Sequence, residues 1–228
     1  MSVYNPRIKI CCIGSMEEAQ MAVAYGAAAV GLVSEMPSGP GVISEALIAK
    51  IAASIPPSVS SFLLTSNVTP EAIVAQQHRC RTDTIQLCDA LDSESLAALR
   101  EALPGIRLVQ VIHVTGPEAG QQARSLAAHV DALLLDSGNP TLTVKELGGT
   151  GRVHDWSISR EIRESVSVPV FLAGGLNPRN VGAAIQQVRP FGVDICSGVR
   201  RDGRLDEAKL ASFVAQVVAQ RSASAQEA

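Results

Sequence analysis

Apolar and polar positions along the chain follow two alternating rhythms. Eight short apolar runs occur at 7–13, 28–33, 59–64, 84–88, 107–114, 132–137, 168–175 and 191–198. Each is too short for a helix, rich in β-branched residues and bounded by Gly, Pro or polar residues, as in parallel strands buried on both faces. Longer amphipathic stretches lie between them. SMEEAQMAVAYG offers Ser15 as N-cap, Glu18 three residues on for a capping box, and Gly26 as its stop. TPEAIVAQQHRC and NPRNVGAAIQQV place Pro70 and Pro178 at the first helical position behind Thr69 and Asn177. DSESLAALREAL, GPEAGQQARSLAAHV, WSISREIRESV and DEAKLASFVAQVVAQR supply further helices. Strand–helix alternation repeated eight times predicts a closed, parallel, eight-stranded sheet, a single (β/α)8 TIM barrel over residues 1–228. An open doubly wound sheet is disfavoured, because no G-x-G-x-x-G turn is present. The polar end, residues 222–228, is expected to fray.

Composition narrows the function classes. Hydrophobic residues make up 46% and aromatics 3%, which suits branched strands and Ala-rich helices and leaves little for stacking on bases. The net charge of −3 comes without a basic stripe, so no nucleic acid partner is expected. No signal-peptide pattern opens the chain, and no run approaches the ~18 apolar residues of a membrane span, so a cytoplasmic protein with no membrane partner is expected. The five cysteines, Cys11, Cys12, Cys80, Cys88 and Cys196, form neither a disulfide framework nor a C-x-x-C pair. Reduced thiols and no metal follow as expectations.

In such barrels the chemistry sits where strands end. The polar residues there are Lys9, Cys11, Cys12, Gln86, Asp89, His113, Asp136, Ser137, Asn177, Asp194 and Ser197. Strand alternation puts Lys9 and Cys11 on one face and turns Cys12 away. An ammonium beside Cys11 favours its thiolate, although buried cysteines are usually small core residues and the local sequence leaves that reading open. Asp136 follows four apolar residues and must emerge at a strand terminus, as a functional carboxylate or as a cap or loop ion pair. Gly174-Gly175 and Ser197-Gly198 stand in the seventh and eighth units, where barrels of this kind bind phosphate with backbone N–H groups. The longest connection, 138–155, leaves from the same face and is expected to act as a lid.

Taken in order, Lys9-Ile10-Cys11, Leu134-Leu135-Asp136-Ser137, Gly148-Gly149-Thr150-Gly151 with Asp155-Trp156, Leu172-Ala173-Gly174-Gly175-Leu176, and Val193-Asp194 with Ser197-Gly198-Val199 resemble the phosphoribosylanthranilate isomerase family. The resemblance implies an Amadori rearrangement of a small phosphorylated metabolite in tryptophan biosynthesis, with no cofactor, by a monomer or homodimer. It implies Asp136 as general acid for sugar-ring opening and Cys11 as general base at C2. It places the phosphate around Gly174, Gly175, Ser197 and Gly198, with Lys9 and Asp194 also toward the substrate. The pattern departs at the amine end. Cys12 stands where the family has Gly, and Gly41 where its arginine holds the anthranilate carboxylate. Cys88-Asp89 replaces His-Gly, and Arg200 replaces an acidic residue. A wider, less positive pocket at Gly41 is therefore expected, with His113, Arg152 or Arg200 as substitutes for the anchor. The same chemistry on another phosphosugar, or a non-catalytic phosphometabolite-binding barrel, remains the alternative.

Overall fold

A computed structural model describes residues 4–226, with side chains as far as Gln220. Strands and helices alternate as β1 (Arg7–Ile10), α1 (Met16–Ala24), β2 (Ala29–Val33), α2 (Glu45–Ser54), β3 (Ser60–Thr65), α3 (Pro70–Cys80), β4 (Thr84–Leu87), α4 (Ser93–Ala102), β5 (Arg107–His113), α5 (Ala119–Ala127), β6 (Ala132–Asp136), α6 (Trp156–Ser165), β7 (Val170–Leu172), α7 (Val181–Val188) and β8 (Gly192–Ile195). A short hairpin of β9 (Arg200–Arg201) and β10 (Arg204–Leu205) precedes α8 (Glu207–Gln226). The first eight strands close into a barrel in chain order. Parallel pairing of β8 with β1 completes it, setting Lys9 opposite Asp194 and Ile10 opposite Ile195.

The period of two divides each strand between two cores. On β6, Leu133 and Leu135 face the helices, in the same cluster as Ile8, Ile10, Ile162 and Ile185. Ala132 and Leu134 face inward, among Ala29, Phe62, Val109, Val111 and Phe171. A strand buried on both faces reads as an unbroken apolar run, which is why the eight runs predict the strands well.

Helix starts follow their capping chemistry less uniformly. Ser15 accepts from the Glu18 N–H at 3.2 Å, but the Glu18 carboxylate does not complete a capping box. It accepts instead from the N–H groups of Gly14 and Leu205, at 2.9 and 2.8 Å. The helix expected to begin at Pro178 begins at Val181, because the Asn177 side chain holds the Arg179 N–H (2.9 Å) in a turn and Asn180 becomes the N-cap. Helix α2, which the periodicity does not single out, starts behind Ser44, whose hydroxyl accepts from the Leu47 N–H. The small hairpin turns at Asp202-Gly203, both at positive φ, as an Asp-Gly hairpin turn requires. Helix α8 runs to Gln226, and residues 227–228 of the tail expected to fray lie outside the described range.

Candidate active site

The end of β1 brings three polar or reactive side chains to the mouth of the barrel. Lys9 is fully buried, with its Nζ 3.0 Å from Asp194 Oδ1 and 5.1 Å from the centre of the Phe62 ring. Burial works to remove the Lys9 proton, but Asp194 and Cys11 outweigh it and hold the amine above its ordinary pKa. Cys11 lies beside this ion pair. Burial, helped by Asp194 and opposed by Lys9, pushes its thiol up to about 11. The expectation of a lowered Cys11 pKa is therefore corrected: desolvation of the thiolate outweighs the attraction of one ammonium.

Cys12 corrects two further expectations. It does not turn away from the cavity but lines it, and it is not a reduced thiol but forms a disulfide with Cys196, across a Cα–Cα distance of 5.8 Å. The reason is local backbone geometry. β1 ends at Ile10 and Cys12 takes the left-handed conformation at φ 61°, so strand alternation no longer sets its direction. Closure of the barrel places the ends of β1 and β8 side by side, joining cysteines 184 residues apart in the chain. The remaining cysteines, Cys11, Cys80 and Cys88, are free and buried.

Asp136 ends β6 with its side chain in the cavity. Its Oδ1 accepts from the Ser137 N–H at 2.7 Å. Burial raises its pKa above the ordinary carboxylate value, against the opposing pull of that N–H and of His113. His113, its neighbour on β5, is held by its Nε2 at 3.0 Å from the Cys88 carbonyl oxygen.

The turns after β7 and β8 reach the cavity with little side chain. Gly174 and Gly175 both have positive φ, and Ser197–Val199 forms one 3-10 turn. At Gly198 a Cβ would lie 2.1 Å from the Leu176 carbonyl oxygen, so only glycine lets the two turns pack together.

These elements enclose about 680 Å3 of space, counted out to the open mouth. Of the residues singled out from sequence, Cys11, Asp136, Gly174, Gly175, Asp194 and Ser197 line it, whereas Lys9 and Gly198 do not. Lys9 lies beneath Asp194, and Gly198 stands behind Ser197 against Leu176. Leu147–Gly151 of the long connection after β6 and the β2-loop residues Met36 and Ser38–Pro40 complete the wall, with Gln86 and Cys88 from the end of β4. The long connection is held at several points. Lys145 pairs with Asp89, the Lys145 carbonyl accepts from Ser38, and Thr150 and Ser137 share a hydrogen bond of 2.8 Å.

The surroundings of Gly41 depart from expectation. Gly41 opens no extra space, because a Cβ there would fall 2.5 Å from the Cys12 Cβ. Cys12 occupies the volume that a side chain at 41 would need. No lysine or arginine is among the described residues lining the cavity, and none of the three substitutes reaches it. Arg200 is bound to Glu18 and to the Cys12 carbonyl oxygen, Arg152 pairs with Glu146, and His113 is held at Cys88.

Known proteins share the sequence pattern and the fold. The profile described as N-(5'phosphoribosyl)anthranilate (PRA) isomerase matches residues 8–216. The chain belongs to the phosphoribosylanthranilate isomerase family. A curated relative from Methanosarcina mazei, N-(5'-phosphoribosyl)anthranilate isomerase 2, is 40% identical, with 91% of this chain and 92% of that one covered. The crystal structure of phosphoribosyl anthranilate isomerase from Thermotoga maritima is 30% identical, with TM-score 0.78 over 94% of this chain and 99% of that one. Another solved family structure, in complex with reduced 1-(o-carboxyphenylamino)-1-deoxyribulose 5-phosphate, is 28% identical, with TM-score 0.76 over 94% and 99%. Family membership accounts for the barrel and the order of the motifs; the Cys12–Cys196 bond and the cation-free wall are read from this chain itself. The signal for the bond lay in the sequence, as two cysteines just beyond strands one and eight, which a closed barrel makes neighbours.

Among the described residues no cluster of three or more His, Cys, Asp or Glu is arranged to hold a metal ion. No helix among them is long and apolar enough to cross a membrane.

Proposed function

We propose that this chain is a phosphoribosylanthranilate isomerase of the cytoplasm, converting N-(5'-phosphoribosyl)anthranilate to the corresponding 1-amino-1-deoxyketose phosphate. The observation that carries this reading is that Cys11 and Asp136, from strands one and six, line one cavity with the glycine turns after β7 and β8. Asp136, whose burial keeps its proton above the usual carboxylate range, protonates the furanose ring oxygen and opens the sugar to an iminium. Cys11 removes the C2 proton, and the resulting enamine tautomerises to the ketose. Its high proton affinity makes the thiolate a strong base, and the Lys9 ammonium stabilises the small thiolate population. Gly174, Gly175 and Ser197 hold the phosphate, Gly198 lets their turns pack, and the Lys9–Asp194 pair supports Cys11 from below. A family structure from Thermotoga maritima is described as generated monomers of a dimeric enzyme; a monomer or a homodimer suits this chain.

A second reading has one observation in its favour: the absence of lysine and arginine from the cavity wall suits an amine without a carboxylate. Restoration of tryptophan-free growth to a strain lacking this isomerase supports the anthranilate reading. A folded, well-expressed protein that does not restore growth favours the second.

A further inference from the structure

We propose that Cys12 and Cys196 form a reversible thiol/disulfide switch that sets the phosphate affinity of the active site, with the disulfide as the tight-binding state. The inference rests on the phosphate reading of the β7 and β8 turns. Its first support is position. The bond ties the residue after Cys11 to the residue before Ser197, and both cysteines line the cavity.

The second support is backbone conformation. Cys12 sits at φ 61°, in the left-handed region where a residue with a Cβ is disfavoured. Such a conformation persists where surrounding contacts over-determine it. Here those contacts are the bond to Cys196 and the hydrogen bond that Arg200 donates to the Cys12 carbonyl oxygen. Helix α1 adds to the clamp through Glu18, 2.9 Å from Arg200.

The third support is access. Cys196 is only partly buried, at the cavity rim, while Cys12 is 5% exposed. A small dithiol therefore meets Cys196 first. Its thiolate attacks the Cys196 sulfur, and Cys12 leaves as a thiolate and takes up a proton. The second thiolate of the reductant then closes on the mixed disulfide, and Cys196 leaves and is protonated. Two electrons and two protons pass to the protein, and the reductant becomes a cyclic disulfide. Accessible disulfides of this kind are the labile, regulatory ones. Cys11 is buried and its thiol is held largely protonated, so it exchanges with the bond slowly.

Once unbonded, the sulfurs must move apart to ordinary non-bonded contact, roughly 3.5–4.0 Å for heavy atoms. That separation falls on the seam between Cys11 and the turn at Ser197. Displacing the turn misaligns backbone N–H groups aimed at the phosphate, and hydrogen bonds weaken steeply as they bend.

The test is phosphate binding by the full-length protein, measured calorimetrically with inorganic phosphate, in air-oxidised and dithiol-reduced samples. Alkylation after denaturation should count three free cysteines in the first and five in the second. Binding should weaken about tenfold or more on reduction. Cys196→Ser should bind as the reduced protein does and no longer respond to the reductant, while Cys80→Ser, buried away from the site, should keep the response. Equal affinity in the two states overturns the switch, as does a count of five free cysteines after oxidation. Binding by neither state removes the phosphate reading, and the switch with it.

Discussion

Around the barrel mouth, the glycine turn after β7 meets the cavity mainly with backbone, while the β1–β2 side, which closes on β8, meets it with side chains. Gly174 and Gly175 present main chain, and Gly198 packs its turn against the Leu176 carbonyl so closely that no Cβ fits. Beside them, Cys12 fills the space that a residue at 41 would need, and Met36 and Pro40 line the wall. A surface made of backbone changes shape only if the chain path changes. A surface made of side chains is rewritten one residue at a time, and compensating pairs such as Cys12 with Gly41 arise easily. The end proposed for the phosphate therefore keeps the family pattern, while the end proposed for the amine departs from it.

The largest effects should come where the two sides meet over the reacting atoms. Cys11→Ala and Asp136→Asn should each lower kcat by about 10²–10⁴-fold, the usual contribution of a general base or acid. Circular dichroism and the melting temperature should show the fold retained. Near-normal turnover by either variant would remove its assigned role.

Next come substitutions that break each side separately. Gly198→Ala should cost about 1–3 kcal/mol of stability through overpacking against Leu176 and weaken phosphate binding, read by thermal melts with and without phosphate. Gly41→Arg alone should raise KM and lower stability, because its Cβ has no room beside Cys12. Placed on a Cys12→Gly background, the same arginine should lower KM relative to Cys12→Gly alone. A carboxylate gaining a charge-assisted hydrogen bond is worth about 1.5–3 kcal/mol, or roughly ten- to a hundredfold. An unchanged KM in that background would point to an amine without a carboxylate.

The smallest effect lies in the pH dependence. The proposed mechanism needs Asp136 protonated and Cys11 ionised, yet Cys11 holds its proton up to about 11. Only a minor, reverse-protonated population is then active, and kcat/KM stays level between the two pKa values. It should fall with acid below a limb lying above the usual carboxylate range, and with alkali near pH 11. An acid limb at the ordinary aspartate value would show that burial does not perturb Asp136 in solution.

The fold was legible because strands buried on both faces announce themselves as apolar runs, and Asp136 was legible because a carboxylate ends one of them. The glycine turns were legible by their place in the eightfold count. The direction of Cys12 was not, since alternation ceases where β1 ends and φ turns positive. Nor was the crowding at Gly41, which depends on a contact between the β1 and β2 loops. The fates of Arg200 and Arg152 were hidden for a related reason. Each is taken up by an acidic partner, Glu18 or Glu146, that a linear reading does not connect to it.

Steady-state turnover of N-(5'-phosphoribosyl)anthranilate by the purified, air-oxidised protein, with Asp136→Asn as the blank, tests the central claim most directly. The account predicts conversion to the aminodeoxyketose phosphate, competitive inhibition by inorganic phosphate, and at least a hundredfold loss in the blank. A folded protein that binds phosphate and leaves this substrate unchanged would contradict it.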